Sequence, residues 1–290
     1  MEFRTRPATT GDADAIYRMI AAAELEWHGH AEVVPDGVAA DLRRPLIKLD
    51  RDTLVVETPD GELAGWAWLH DGRRAQIDVR PSYRGQGIGA RLLDWAEERA
   101  REYGSPWIAQ TVDDADVAGT ALLRGRGYEV LATNWLLERP ISNAPFAVPE
   151  GIRLTGYDEA RSAEVHRLIE DAFGEFQQRH KSFEEWAELT ISRSTFLPSA
   201  STLAYDGDEL IGAIIALDGD EGYVEQLAVR SDHRRRGVAR AMLDQTCANF
   251  AELAKTTCIL WTHSGTGALA MYEHLGMRVR RSTTVYRREL

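Results

Sequence analysis

No stretch of this chain approaches the roughly 18 consecutive apolar residues that a membrane span needs. Cysteine is scarce: the 290 residues hold two, Cys247 and Cys258. That is too few for a disulfide framework. One falls in a helix-like run and the other in a strand-like run, so both read as small buried apolar residues of a protein in a reducing cytoplasm. Positive charge is also short. Lys and Arg number 34 against 46 Asp and Glu, for a formal charge of −12 and an isoelectric point near 5.2. Such a field opposes long-range attraction of a polyanion and favours a cationic small molecule, so nucleic acid and membrane surfaces are not expected partners. The opening, "MEFRTRPATTGDADAI", has no apolar h-region, so no secretory signal is expected. A Gly-Lys-Ser/Thr phosphate loop is missing, and so is the first glycine of a dinucleotide fingerprint.

Hydrophobic residues make up 44% and charged residues 28% of the chain, an ordinary globular balance. The length predicts two domains, and the chain repeats itself at the matching interval. "FRTRPATTGDADAIYRMI" from Phe3 parallels "IRLTGYDEARSAEVHRLI" from Ile152. "TPDGELAGWAWL" and "AYDGDELIGAIIAL" both read as strand, Asp-Gly turn, strand. "AQIDVRPSYRGQGIGARLL" parallels "EQLAVRSDHRRRGVARAML", and "ALLRGRGYEV" parallels "AMYEHLGMRV". Each half closes on a strand-like tail, "NWLLERP" or "TTVYRREL". Between them lies "RPISNAPFAVPEG", whose three prolines forbid a helix or a central strand. The expected domains are therefore 1–140 and 151–290, joined by a linker over 141–150. Each reads β–α–α–β–β–β–α–β–α–β, an α/β (α+β) arrangement with a mixed, mostly antiparallel sheet and helices on both faces.

The segment "VEQLAVRSDHRRRGVARAML" carries the most chemistry. It predicts a strand, a polar turn, and a helix starting at Gly237. The first N–H groups of a helix lack intrahelical partners and sit at the positive end of its dipole. Glycine admits a ligand close to the backbone, and arginines add charge-assisted bonds to a phosphate. Arg234-x-x-Gly237-x-Ala239 supplies these parts, and Arg84-x-x-Gly87-x-Gly89 supplies them again 150 positions earlier. One such motif also describes a plain solvated helix start. Its recurrence between a strand and a helix favours a phosphate cradle.

These residues, with "GALAMYEHLGM" after the fifth strand of the second half, resemble the Gcn5-related N-acetyltransferase (GNAT) superfamily. The resemblance covers both halves, and the tandem layout is similar to that of mycothiol synthase. No side-chain pattern assigns the chain to mycothiol synthesis. The resemblance implies acetyl-CoA as co-substrate, no metal, and a small amine as acceptor. It implies that backbone groups of Leu227 and Val229, flanking Ala228, pair with the pantetheine arm. Arg234, Arg235, Arg236, Gly237, Val238, Ala239 and Arg240 would hold the pyrophosphate, with Ser264 nearby. In the first half Ile77, Val79, Arg84, Gly85, Gln86, Gly87, Ile88 and Gly89 take the same places. Tyr272 matches the tyrosine that protonates the departing thiolate.

Transfer to an amine needs a proton acceptor and benefits from a proton donor to the leaving thiolate. Glu225 is the candidate acceptor and Tyr272 the candidate donor. By simple offset their counterparts in the first half are Ala75 and Leu123, so that half is expected to be catalytically degenerate, binding acyl-CoA or serving as scaffold. A different mechanism there would use His70 or Asp78 as base. His263 is an alternative base in the second half, read first as an orienting residue. His28 and His30 stand two apart without further metal ligands. Phe173, Phe176, His180 and Trp186 fall where an acceptor pocket would lie, although such aromatics, like Trp27, Trp66 and Trp68, are equally read as core. Two other classes stay open at this point: a non-catalytic acyl-CoA-binding protein and a nucleic-acid module built on the arginine run.

Overall fold

The computed structural model describes residues 2–44, 47–142, 144–174 and 180–290. The first half runs β1 (Arg4–Arg6), α1 (Ala13–His28), α2 (Pro35–Asp41), α3 (Leu49–Asp52), β2 (Thr53–Glu57), β3 (Leu63–His70), β4 (Arg74–Val79), α4 (Ile88–Glu102), β5 (Trp107–Asp113), α5 (Val117–Gly125) and β6 (Glu129–Pro140). The second half repeats it as β7 (Ile152–Gly156), α6 (Ser162–Phe173), α7 (Phe183–Leu189), β8 (Thr202–Asp206), β9 (Glu209–Leu217), β10 (Gly222–Val229), α8 (Val238–Glu252), β11 (Thr257–His263), α9 (Leu269–His274) and β12 (Arg278–Glu289). The order is the one the repeat predicts, with the short α3 added. Among the described residues no helix is long and apolar enough to cross a membrane.

The compact units do not end where the repeat ends. One comprises Met1–Thr133 with Thr283–Leu290, and the other Asn134–Ser282. Within the first, the sheet order is β1-β2-β3-β4-β5 and then the Thr283–Glu289 part of β12, antiparallel to β5. Within the second, β7-β8-β9-β10-β11 is followed by residues 134–140 of β6, antiparallel to β11. Leu137 is thereby buried in the core of the second unit and Tyr286 in that of the first. Both tails are short runs with apolar residues at their centre, Trp135-Leu136-Leu137 and Val285-Tyr286, so the pattern announces a strand without naming its neighbour.

Each unit holds a core on either face of its sheet. In the second, Val165, Ile169 and Trp186 of α6 and α7 cover one face, while Val238, Met242, Leu243, Cys247 and Phe250 of α8 cover the other. Those α8 positions recur at helical spacing on one stripe. The Asp-Gly turns close hairpins in both units, β2 against β3 and β8 against β9.

Candidate active site

The site of the second unit is built on a pair of strands that part. Parallel β10 and β11 are paired at Gly222–Cys258 and Tyr223–Ile259, and beyond those positions they diverge. Gly222 allows α8 to close on this vertex, since a Cβ there would lie 2.4 Å from the Phe250 ring. The register of β10 against β9 shifts between Val224 and Gln226, which leaves Glu225 as the extra residue of a β-bulge. A cavity of about 730 Å³ fills the gap. Residues 224–229 of β10, 260–263 of β11, Thr266, Gly267, Met271 and Tyr272 line it, together with Arg234, Arg235, Gly237, Val238, Ala239 and Arg240. The volume suits a ligand larger than a simple amine.

The floor is the loop between β10 and α8. Arg235 and Gly237 both have left-handed backbone, with φ of 62° and 82°. In the first unit Gly85 and Gly87 take the same shape, at 76° and 80°. An arginine in this region costs on the order of 1–2 kcal/mol relative to glycine. The loop keeps the shape regardless, and with it the inward N–H groups at the start of α8. Arg234 donates Nε to the Val229 carbonyl at 3.3 Å. Arg240 donates to the His274 carbonyl at 2.7 Å. Arg236 does not line the cavity and lies 3.7 Å from Asp206. Arg235 makes no ion pair among the described residues.

Glu225 and Tyr272 both reach this cavity. Burial pushes the Glu225 carboxyl above its ordinary range, opposed by Arg193 and by the Tyr223 hydroxyl. The opposing arginine is Arg193, at 3.8 Å. Burial also raises the Tyr223 phenol, with Glu225 adding to the shift. Tyr272 is 8% exposed, and burial pushes its phenol up to about 12. It is therefore protonated at neutral pH and able to donate.

Other expected residues fall elsewhere. Ser264 does not line the cavity; β11 ends before it, and Thr266 and Gly267 take its place. His263 lines the cavity with Nδ1 accepting from Gly265 N at 3.2 Å, which orients the ring as a cap. Phe173 lines it, whereas Trp186 is fully buried and donates Nε1 to Gln226 at 2.9 Å. His180 is exposed beside Glu170 at 3.5 Å, and Phe176 lies outside the described residues. His28 pairs with Asp113 and His30 with Glu32. Met271 falls inside the quoted segment GALAMYEHLGM. Arg193 and Tyr223, which act on Glu225 without lining the cavity, have no motif to announce them.

The first unit has a smaller gap. Parallel β4 and β5 are paired at Arg74–Ala109 and Ala75–Gln110, and a cavity of about 270 Å³ follows, lined by Ile77, Val79, Arg84, Gly85, Gly87, Ile88, Gly89 and Leu123. Gln86 is not in its lining. Here β4 runs against β3 without a bulge, and Ala75 faces Leu69 as Val224 faces Ala216. The offset that matched Glu225 to Ala75 is thus corrected: Ala75 corresponds to Val224, and Glu225 has no counterpart. Arg84 is held by Glu26 at 2.9 Å and stacked on Trp27. His70 bonds Asp71 at 3.1 Å and does not reach the cavity. Asp78 does reach it, accepting from Trp66 and Gln76 at 3.1 and 3.0 Å. Desolvation pushes its carboxyl up to about 6.

The profile of the acetyltransferase (GNAT) family matches residues 19–128 and again 162–277. The chain belongs to this family. The acetyltransferase is 26% identical over 250 residues to a mycothiol acetyltransferase of Catenulispora acidiphila, across 79% of this chain and 78% of that one. It is 34% identical over 113 residues to an aminoalkylphosphonate N-acetyltransferase of Salmonella typhimurium, across 34% of this chain and 68% of that one. Among solved structures, a GCN5-related N-acetyltransferase from Sphaerobacter thermophilus superposes with a TM-score of 0.83 at 25% identity, covering 99% of this chain and 95% of that one. A tandem GNAT protein of the clavulanic acid biosynthesis pathway shares the fold, with a TM-score of 0.73 at 17% identity over 99% and 98% of the chains. The enzyme is an acyl-CoA-dependent N-acetyltransferase with two GNAT units.

Proposed function

We propose that the second unit transfers acetyl from acetyl-CoA to the primary amine of a small molecule, and that the first unit does not carry the chemistry. The observation behind this reading is the convergence of a bulged Glu225, Tyr272 and an arginine-rich helix start on one cavity. Backbone groups of Leu227 and Val229 pair with the pantetheine arm. Arg235 and residues 237–240 hold the pyrophosphate through N–H groups and guanidinium donors. N–H groups beside the bulge polarise the thioester carbonyl. The amine nitrogen attacks that carbon, Glu225 accepts the amine proton directly or through a water, the C–S bond breaks, and Tyr272 protonates the departing thiolate.

Two features support a secondary role for the first unit. Both arginines of its loop are engaged, Arg84 by Glu26 and Trp27 and Arg80 by Glu62 and the Leu63 carbonyl. It has neither the bulged carboxylate nor the tyrosine. The charge of −12 favours the acceptor as an ammonium before it loses its proton. Calorimetry with acetyl-CoA and a CoA-release assay on an amine panel test the reading. Coenzyme binding without turnover of any amine in the panel contradicts the catalytic part, and absence of binding contradicts the whole.

A further inference from the structure

The approach to Glu225 from the α6–α7 side carries a guanidinium with little to hold. Arg193 follows α7 in a tightly bonded turn. Its N–H donates to the Thr190 carbonyl at 3.2 Å, and its carbonyl accepts from Phe196 N at 2.9 Å. The backbone is fixed, so the side chain starts from a defined point. Its guanidinium is 44% exposed and lies 3.8 Å from Glu225 Oε2, too far for a hydrogen bond. Among the described residues it makes no other ion pair. The contrast within the unit is clear: Arg139, Arg230 and Arg280 grip Asp244, Asp232 and Glu221 at 2.7, 2.7 and 2.6 Å. Arg193 is outside the cavity lining itself but stands beside Glu225, which is part of it, with no other ion pair among the described residues.

We propose that Arg193 binds an anionic group on the acceptor (a carboxylate, phosphate or phosphonate) placed two to three bonds from the reacting amine. The proposal rests on Glu225 receiving the amine proton, as argued above. With the nitrogen at hydrogen-bond distance from Glu225, a guanidinium about 4 Å from that carboxylate reaches an anion only a short way along the same molecule. The planar fork favours bidentate binding of such oxygens. An amino carboxylate also fits the acidic protein near neutral pH, because its net charge there is near zero and the long-range field does not repel it. The indole of Trp261, 41% exposed, lines the cavity from the neighbouring strand β11.

The test compares matched amines, β-alanine and 2-aminoethylphosphonate against propylamine and ethanolamine, with acetyl-CoA saturating. Rates are taken at alkaline pH, where Glu225 is ionised in every variant. Wild type is expected to show kcat/KM roughly 10–100-fold higher for the anionic members. Arg193→Ala should bring the ratio close to one, and Arg193→Lys should fall between. Equal rates in wild type overturn the proposal, and so does a preference that survives Arg193→Ala. A changed pH profile in Arg193→Ala with an unchanged ratio means that Arg193 acts only through Glu225, and overturns it too. If no amine of the set is acetylated by a protein that binds acetyl-CoA, the anionic small-amine proposal fails while the coenzyme site stands. If acetyl-CoA does not bind, the underlying acyltransferase site fails instead.

Discussion

Leu123 and Tyr272 occupy the same place in the two units. The Leu123 carbonyl accepts from Tyr128 N and the Tyr272 carbonyl from Met277 N, each at 3.1 Å. Both side chains line the gap between parting strands. The same helix end occurs twice, with a tyrosine facing the cavity in one copy and a leucine in the other.

Substitution at this shared position should therefore separate chemistry from packing. Tyr272→Phe should lower kcat by about 10–100-fold, while calorimetry shows acetyl-CoA affinity little changed, because a proton donor is lost and almost no surface. Leu123→Ala should leave kcat near wild type and lower unfolding free energy by about 2–5 kcal/mol, since Leu123 is 1% exposed. Chemical denaturation and steady-state rates check both.

Glu225 should set the acid limb of the rate profile. Its carboxyl is raised by burial, so kcat/KM should begin to fall on acidification at a higher pH than for an ordinary exposed glutamate. Glu225→Gln should remove that limb and cost most near neutral pH. At high pH, where the free amine with a pKa near 10.4 is already neutral, part of the rate should return. A mutant with wild-type rates throughout would leave Glu225 a strand-fixing residue paired with Arg193.

Asp78 should oppose folding as pH rises. Its folded pKa is raised to about 6 from an ordinary 3.8. Between those values the folded state binds more protons than the unfolded state, so stability falls as pH passes from about 4 to 6 and then levels. Asp78→Asn removes the charge and keeps an acceptor for the Trp66 indole. It should raise stability at pH 7 by roughly 1–3 kcal/mol, allowing for partial solvent access, and flatten that part of the curve. Thermal unfolding from pH 4 to 8 measures it. No gain at pH 7 would mean that the Trp66 and Gln76 bonds offset the desolvation.

The repeat, the hairpins and the two glycine-rich helix starts were legible because each leaves a local signature: a recurring segment, an Asp-Gly turn, or glycine before a helical stripe. That Glu225 and Tyr272 share one cavity was legible through the family resemblance and their position beside those signatures; their proposed roles await the rate measurements. The exchange of tail strands was not, because Leu137 and Tyr286 are buried apolar strand residues whichever sheet they join. The bulge was not either, since one inserted residue looks like a plain offset in a repeat. That is why Ala75 seemed to face Glu225. Arg193 depends on a contact 32 positions away in sequence, which no spacing rule reaches.

The most direct test of the account places one charge in each phosphate loop in turn. Gly237 and Gly87 both have left-handed backbone and immediately precede α8 and α4; a Cβ would meet the Pro149 ring at 3.4 Å at Gly237 and open space at Gly87. Gly237→Glu and Gly87→Glu are compared by acetyl-CoA calorimetry and CoA release, with folding checked by circular dichroism. The account predicts that Gly237→Glu abolishes turnover in a folded protein and that Gly87→Glu retains it. Retained turnover in Gly237→Glu, together with its loss in a folded Gly87→Glu, would contradict the account and move the catalytic site to the first unit.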